Sequence, residues 1–359
     1  MKHTKYISME NIKAGMVTAA PVYVRNEEGR HLMLVKQGTA LTDLIIGRLY
    51  RYHVTLVAVF SDEPAAALPL SKIKPIISEN LATEALGGLQ DLFSVAAGSK
   101  VTTAHRAVRQ LDDVVDQLVE TVSHEAGGLV HISHLKSHDD YTYHHSLSVA
   151  VLSIAIGRTM RLKKCELREL GRAAIMHDIG KILVPTDILN KPGKLTDTEF
   201  EIIKEHSAKG AAYLKKEGIG NSAMWDAIYA HHEKMDGTGY PSGLKGGEIP
   251  FFARIITVAD VYDAVTSYRP YRGPMSPSVA FELLMSNADR AFEYNVVKAF
   301  AKSVEFYPIG AVLSISNGRI GMVVDNVNAL RPTLRMLDNG EIVNLVHSDN
   351  LHLMIEDAN

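Results

Sequence analysis

Adjacent imidazoles at His231 and His232 open the stretch HHEKMDGTGYP, and a histidine–aspartate doublet, His177-Asp178, stands upstream in HDIGK. Imidazole and carboxylate at such close spacing form a donor set for metal ions, and metal-activated water attacks phosphate esters. His145, His206 and Asp260 extend the set. The stretches Asp178 to His206, His206 to His231 and His232 to Asp260 are alike in length. Each is about enough for a helix, a loop and the next helix, so the donors would face one another inside a helical bundle. A set without thiolate suits iron, manganese, zinc or nickel and disfavours iron–sulfur clusters and copper(I). Two metals bridged by Asp178 and a water would use so many ligands, make hydroxide at neutral pH and clamp a phosphoryl oxygen. A single histidine is weak evidence, because the chain has 16. His124, His131, His134, His138 and His144 are read as bystanders; the doublets on successive helices are not.

The elements that position these donors must come from a chain of 359 residues, long enough for two or three domains, with 46% hydrophobic residues to build cores. The formal net charge of −3 gives no global basic field, so polymeric nucleic acid and anionic membranes are not expected partners. One cysteine, Cys165, excludes an internal disulfide and fits a reducing cytoplasm. The N-terminal MKHTKYISMENIKAGM has no apolar core of a signal peptide. No run of about 18 apolar residues exists, so no transmembrane helix is expected; VLSIAIG reads as a buried helix.

Residues 1–62 read as a small β-rich domain, to which the resemblance described below gives a regulatory or structural role. AAPVYV and HLMLV form a hairpin across RNEEG, TALTDLIIGRLYRY an amphipathic helix, and VTLVAVF a closing strand. Residues 63–100 read as linker and leading helix, on the Pro and Ala content of SDEPAAALPLSK. Helical periodicity then runs through 101–306, the catalytic region, with Val101, Val108, Leu111, Val115, Leu118 and Val122 on one stripe. That stripe fits packing within the domain or pairing of two chains as a homodimer. TDTEFEIIKEH opens with a capping box, Thr196 and Glu199, and its apolar face is traced by Phe200, Ile203, Ser207, Gly210 and Leu214. AVLSIS, GMVVDNV, TLRML and EIVNLV, punctuated by Asn-Gly and Asp-Asn turns, make residues 307–359 a C-terminal β-appendage. The fold class expected is mainly α: a helical-bundle catalytic domain with a small β-rich N-terminal domain and a short C-terminal β-appendage.

HDIGK and HHEKMDGTGYP, with RIITVADVYDAVTSYRPY, resemble the HD-GYP family of cyclic di-GMP phosphodiesterases, a branch of the HD metal-dependent phosphohydrolases. The resemblance runs from about Tyr141 to Val304 and includes ILNKPGKLTDTEFEIIKEHS and SGLKGGEIPFFARI. IKAGMVTAAPV is similar to small β-rich regions that precede such domains. The resemblance implies an HD-type helical domain and two divalent metals, iron or manganese first, with zinc and nickel compatible. His145, His177, Asp178, His206, His231, His232 and Asp260 match the ligand positions, with Asp178 bridging. Lys181 matches the lysine beside the scissile phosphate, where a cation can hold developing charge. The alternative role for Lys181, just past a helix end at Gly180, is to serve the helix dipole. Arg269 and Arg272 match positions that grip substrate phosphates, and Tyr271 a ligand contact; solvated loop charges are the alternative reading of the two arginines. Gly239, Tyr240 and Pro241 form the name-giving loop, where Gly permits positive φ and Pro fixes φ. His144 competes with His145 for the first-ligand role, and HSLSV matches the family's spacing with His145. Some members carry a glutamate four residues before that histidine, linked to a third metal. Tyr141 stands there, so the resemblance implies a binuclear site.

The activity so implied is hydrolysis of the 3′-5′ phosphodiester bonds of cyclic di-GMP to pGpG, GMP or both, in bacterial second-messenger signalling. Signalling partners would dock on the N-terminal domain or the Gly-Tyr-Pro loop. Two other readings fit the same residues. One keeps the chemistry and changes the substrate to another cyclic dinucleotide or nucleotide. The other is a catalytically silent cyclic di-GMP receptor, which need not keep every metal ligand. Glu233 has no assignment in the sequence. Asp236 fits either the loop or a bond to a ligating histidine. Trp225 reads as core, and Lys191 and Lys194 as positive potential or solubility.

Overall fold

The computed structural model describes residues 3–9, 12–19, 22–25, 31–51, 54, 56–61, 77–96, 101–124, 141–191, 193–267, 274–326 and 328–356. The chain divides into two compact units: Pro75–Phe306, and Met1–Lys74 with Tyr307–Asn359. The molecule is mainly helical, with strands confined to the N-terminal and C-terminal segments.

In the N-terminal segment β1 (His3–Ser8) pairs antiparallel with β4 (Leu56–Ser61), and β2 (Val22–Arg25) with β3 (His31–Val35). The first strand comes from residues that carried no strand reading in the sequence. α1 (Asp43–Arg51) buries Leu49 against Met9, Ile12, Val35, Leu41, Val57 and Val59. In the C-terminal segment β5 (Val312–Ile315), β6 (Ile320–Asp325), β7 (Thr333–Met336), β8 (Ile342–Asn344) and β9 (Ile355–Glu356) form one open antiparallel sheet in the order β8-β7-β6-β5-β9. Arg331 ties its return loop down by donating to the carbonyls of Leu345, Asn350, Leu351 and Leu353.

The helical unit runs α2 (Glu79–Ala96), α3 (Val101–His124), α4 (Tyr141–Thr159), α5 (Lys164–Ile175), α6 (Thr186–Leu189), α7 (Asp197–Lys216), α8 (Ser222–Ala230), α9 (Phe251–Thr266), α10 (Pro277–Ser286) and α11 (Tyr294–Ala301). α4 is apolar on every face from Leu147 to Ile156 and is buried all round, as a central helix must be. The stripe Leu111, Val115, Leu118 and Val122 of α3 is buried within this unit, so its apolar face is satisfied by neighbouring helices. The opposite edge of α3 meets α5 in an antiparallel ladder of ion pairs, Asp112–Arg172, Asp116–Arg168 and Glu120–Lys164. Tyr262, Phe281, Phe300 and Phe306 interlock at the end of α9.

Local chemistry explains where α7 begins. The Thr196 side chain accepts from the Glu199 N–H at 3.2 Å, and Glu199 accepts from the Thr196 N–H at 2.7 Å. The buried face of α7 matches the expected one at Ser207, Gly210 and Leu214 and departs from it at the first turn. His206, Ser207, Gly210, Ala211 and Leu214 face inward, whereas Phe200 is 46% exposed, because it lies in the first turn, beyond the bundle. Trp225 is half-buried and donates its ring N–H to the Ile219 carbonyl at 2.7 Å.

Candidate metal centre

Three helices and two helix ends deliver the predicted donors to one place. His145 lies near the start of α4. His177 and Asp178 follow the end of α5 and lead into a 3-10 turn, Ile179–Leu183. His206 sits on α7, and His231 and His232 close α8. Asp260 is on α9, where the Thr257 hydroxyl reaches the His231 carbonyl at 2.6 Å and ties the end of α8 in place.

The close approach of HDIGK to α7 depends on glycine. A Cβ on Gly180 would lie 1.9 Å from the His206 carbonyl oxygen and 2.6 Å from the Gly210 nitrogen. Gly180 therefore does not mark a helix end, as its sequence position suggests. It lies inside the 3-10 turn and lets that turn rest on the backbone of α7.

The histidine rings are oriented by their Nδ1 atoms. His177, His206 and His231 each place Nδ1 2.6–2.7 Å from a carbonyl three residues earlier, those of Ala174, Ile203 and Ile228. A carbonyl only accepts, so Nδ1 carries the proton and Nε2 presents its lone pair. The Nε2 atoms of His206 and His231 then face each other at 3.4 Å, acceptor against acceptor. His232 Nε2 stands 3.2 Å from His206 Nε2. Burial pushes the pKa of His206 down, that of His231 well down and that of His232 down to about 3. Neutral imidazoles with converging lone pairs call for a cation between them.

Asp178 supplies the second half of that argument. Its Oδ1 is 3.4 Å from His206 Nε2, and its Oδ2 is 3.3 Å from His177 Nε2 and 3.8 Å from His145 Nε2. Burial would raise its pKa, but Lys181 and His177 outweigh burial and hold it well below the carboxylate range. Asp178, His206, His231 and His232 bring their donor atoms within 4.8 Å of one another, and so do His145, His177 and Asp178. The buried Asp178 Oδ1 and His177 Nε2 have no hydrogen-bond partner among the described residues, the condition of atoms left for a metal. This buried cluster can coordinate two metal ions, with Asp178 common to both positions. Asp260 lies between them, Oδ1 3.1 Å from His145 Nε2 and Oδ2 3.9 Å from His232 Nδ1. Burial would raise the Asp260 pKa, yet the His145 contact depresses it. Burial likewise opposes a charged His145, but Asp260 and Asp263 win and pull its pKa up to about 9.

A family model described as an HD domain matches residues 130–296. The cyclic di-GMP phosphodiesterase PA4108 of Pseudomonas aeruginosa is 40% identical over 228 residues, 64% of this chain and 54% of the relative. The cyclic di-GMP phosphodiesterase response regulator RpfG of Xanthomonas campestris is 30% identical over 260 residues, 69% of this chain and 67% of the relative. The 3′3′-cGAMP-specific phosphodiesterase 3 of Vibrio cholerae is 39% identical over 168 residues, 47% of this chain and 36% of the relative. The chain belongs to the HD superfamily of metal-dependent phosphohydrolases, in its HD-GYP branch. It spans about half the length of the curated relatives it matches.

Other features of this HD-GYP chain are placed as follows. Lys181 Nζ is 2.5 Å from Asp178 Oδ2, and the side chain is 27% exposed, so its ammonium sits at the rim of the cluster. In the Gly-Tyr-Pro loop, Gly239 is not needed for positive φ, since the loop's left-handed residues are Gly237 and Gly243. It is needed for space: a Cβ on Gly239 would lie 2.4 Å from the Lys234 nitrogen and 2.5 Å from the Glu233 Cα. The Tyr240–Pro241 peptide is cis. The Tyr240 ring packs 4.7 Å from the His232 ring, and burial raises the pKa of its hydroxyl. Asp236 serves the loop, accepting from the N–H and hydroxyl of Thr238. Lys191 pairs with Glu199 at 2.7 Å. Arg269, Tyr271 and Arg272 lie outside the described residues, as does the side chain of Tyr141. Among the described residues no helix is long and apolar enough to cross a membrane.

Two residues at the site were missed in the sequence. Asp263 meets His145 Nδ1 at 2.8 Å; its signal was the spacing of three from Asp260, which puts both carboxylates on one helix face. Glu233 is buried and accepts from the N–H groups of Ser242 and Leu244 at 2.7 and 3.0 Å. Its partners are backbone atoms, which leave no mark in a sequence.

Proposed function

We propose that this chain hydrolyses the 3′-5′ phosphodiester bonds of a cyclic dinucleotide, with cyclic di-GMP as the substrate and pGpG, GMP or both as products. The observation that carries the reading is the Asp178 carboxylate, buried and turned with one oxygen toward each of two histidine groups. A divalent pair there, iron or manganese, supplies an activated water and positive charge for the phosphoryl oxygens. His177, His206 and His231 turn Nδ1 to a backbone carbonyl and so present Nε2 to the cluster. Lys181 places an ammonium at the rim, where it neutralises charge on a non-bridging oxygen. Glu233 fixes the Gly-Tyr-Pro loop beside His232. Arg269, Arg272 and Tyr271 take the remaining phosphate and base contacts, an assignment that rests on their motif alone. Partner proteins in signalling would read the N-terminal segment or this loop.

Protein loaded with Mn²⁺ or Fe²⁺ should convert cyclic di-GMP, and Asp178→Ala should lose both metal and turnover. No turnover with any divalent metal would sink the proposal. A second reading, 3′3′-cGAMP as substrate, is supported by the comparable identity of the Vibrio cholerae cGAMP-specific relative. Comparing kcat/KM for the two dinucleotides on one preparation decides between them. Tight binding of cyclic di-GMP without cleavage would instead favour a receptor.

A further inference from the structure

The histidines of the cluster are held in two different ways. His177, His206 and His231 lean on neutral backbone carbonyls of their own segments. His145 leans on a carboxylate from another helix, Asp263 Oδ2 at 2.8 Å from Nδ1, with the two side chains 3% and 1% exposed. Ser267 donates its hydroxyl to the same oxygen at 3.3 Å. Asp260 and Asp263, one turn apart on α9, bracket the ring, with Asp260 on the Nε2 edge and Asp263 on the Nδ1 edge. The Nδ1 edge is the one turned away from the donor atoms, so Asp263 acts on the cluster through His145. A carboxylate at Nδ1 draws the ring proton more strongly than a carbonyl and makes Nε2 a stronger donor.

We propose that Asp263 is a positioning residue that holds the His145 ring and, by its charge, selectively strengthens the metal position formed by His145, His177 and Asp178. In the position formed by Asp178, His206, His231 and His232, the carboxylate near a ring Nδ1 is Asp260, whose Oδ2 is 3.9 Å from His232 Nδ1, beyond hydrogen-bond distance. The inference rests on the proposed function only in treating these two groups as metal positions.

Asp263→Asn, close to isosteric, removes the charge and keeps an acceptor. Stepwise cobalt(II) titration, followed by visible absorbance and by metal analysis, should show two positions filling in the natural protein. In the variant one position should fill as before, and the other should weaken about 10–100-fold. Equal affinity at both positions in variant and natural protein would overturn the proposal. Equal weakening of both would also overturn it, by showing a merely structural role. A readout that needs no variant is nitrogen-15 NMR of histidine in the zinc-loaded natural protein. His145 should carry a far-downfield Nδ1 proton and show a metal-shifted Nε2; an Nδ1 without its proton overturns the assignment. A protein that binds two metals but cleaves no cyclic dinucleotide removes the proposed function and leaves this inference standing. One that binds fewer than two removes both.

Discussion

At the scale of single residues, the buried carboxylate of Glu233 pins a loop. Its two oxygens take two backbone N–H groups of the loop that carries Tyr240. Glu233→Gln turns an amide NH₂ toward one of those donors and leaves it unpaired, at a cost of about 1–3 kcal/mol. The expected result is a looser loop, a KM for cyclic dinucleotide raised roughly tenfold, equivalent to about 1.4 kcal/mol, and an unchanged metal content. Steady-state kinetics beside metal analysis checks it; a fall in metal content would assign Glu233 to the cluster instead. The histidines predict a pH response of the metal-free protein. His206, His231 and His232 have folded pKa values below the ordinary 6.5. Below 6.5 the unfolded chain therefore binds more protons, and stability falls as the pH drops. The window reaches down to about 3 for His232. His145, raised to about 9, has the opposite sign, but its contribution is complete below 6.5. The thermal midpoint of chelator-treated protein should thus decline steadily from about pH 6.5 downward. A flat midpoint over that range would contradict the neutral, buried state of these rings.

At the scale of elements, the site depends on how closely the turn after α5 lies on α7. Gly180→Ala puts a methyl group within 1.9 Å of the His206 carbonyl, so the turn or the helix must move. Asp178 then parts from His206, now 3.4 Å away. Loss of several kcal/mol, as for other strained or overpacked sites, and loss of at least one metal are expected by thermal melting and metal analysis. Retention of both metals would show that the turn can shift without disturbing Asp178. Thr196→Ala removes the cap of α7 and should cost about 1 kcal/mol with both metals kept, because His206 lies far along the helix. These elements were legible to different depths. The cap of α7 was readable because Thr196 and Glu199 bond each other's backbone within one turn. The inward face of α7 was misread at Phe200, because periodicity assigns a face but cannot tell where along the helix its neighbours stop.

At the scale of the whole molecule, the donors and their supports fall within Pro75–Phe306. A fragment of those residues should bind two metals per chain with the stepwise pattern of the full chain, measured by cobalt titration. A fragment that folds but binds none would overturn this expectation. The strands at both ends were largely readable from alternation and turn residues, except β1, whose sequence HTKYIS has little apolar alternation, and β9, which is only two residues long. The helical class was readable because apolar periodicity reports burial directly. Residue types and their spacing determined the chemistry: which side chains can hold metal, that no thiolate takes part, and that the donors ride on successive helices. Tertiary structure alone decided that Asp178 turns one oxygen to each group, that Asp263 rather than a carbonyl holds His145, and that Gly180 and Gly239 serve close backbone approach. Asp178, Asp263 and Gly180 depend on atoms from segments far apart in the chain meeting within about hydrogen-bond distance, and Gly239 on its loop folding back onto Glu233 and Lys234. Sequence spacing along one element cannot measure such contacts.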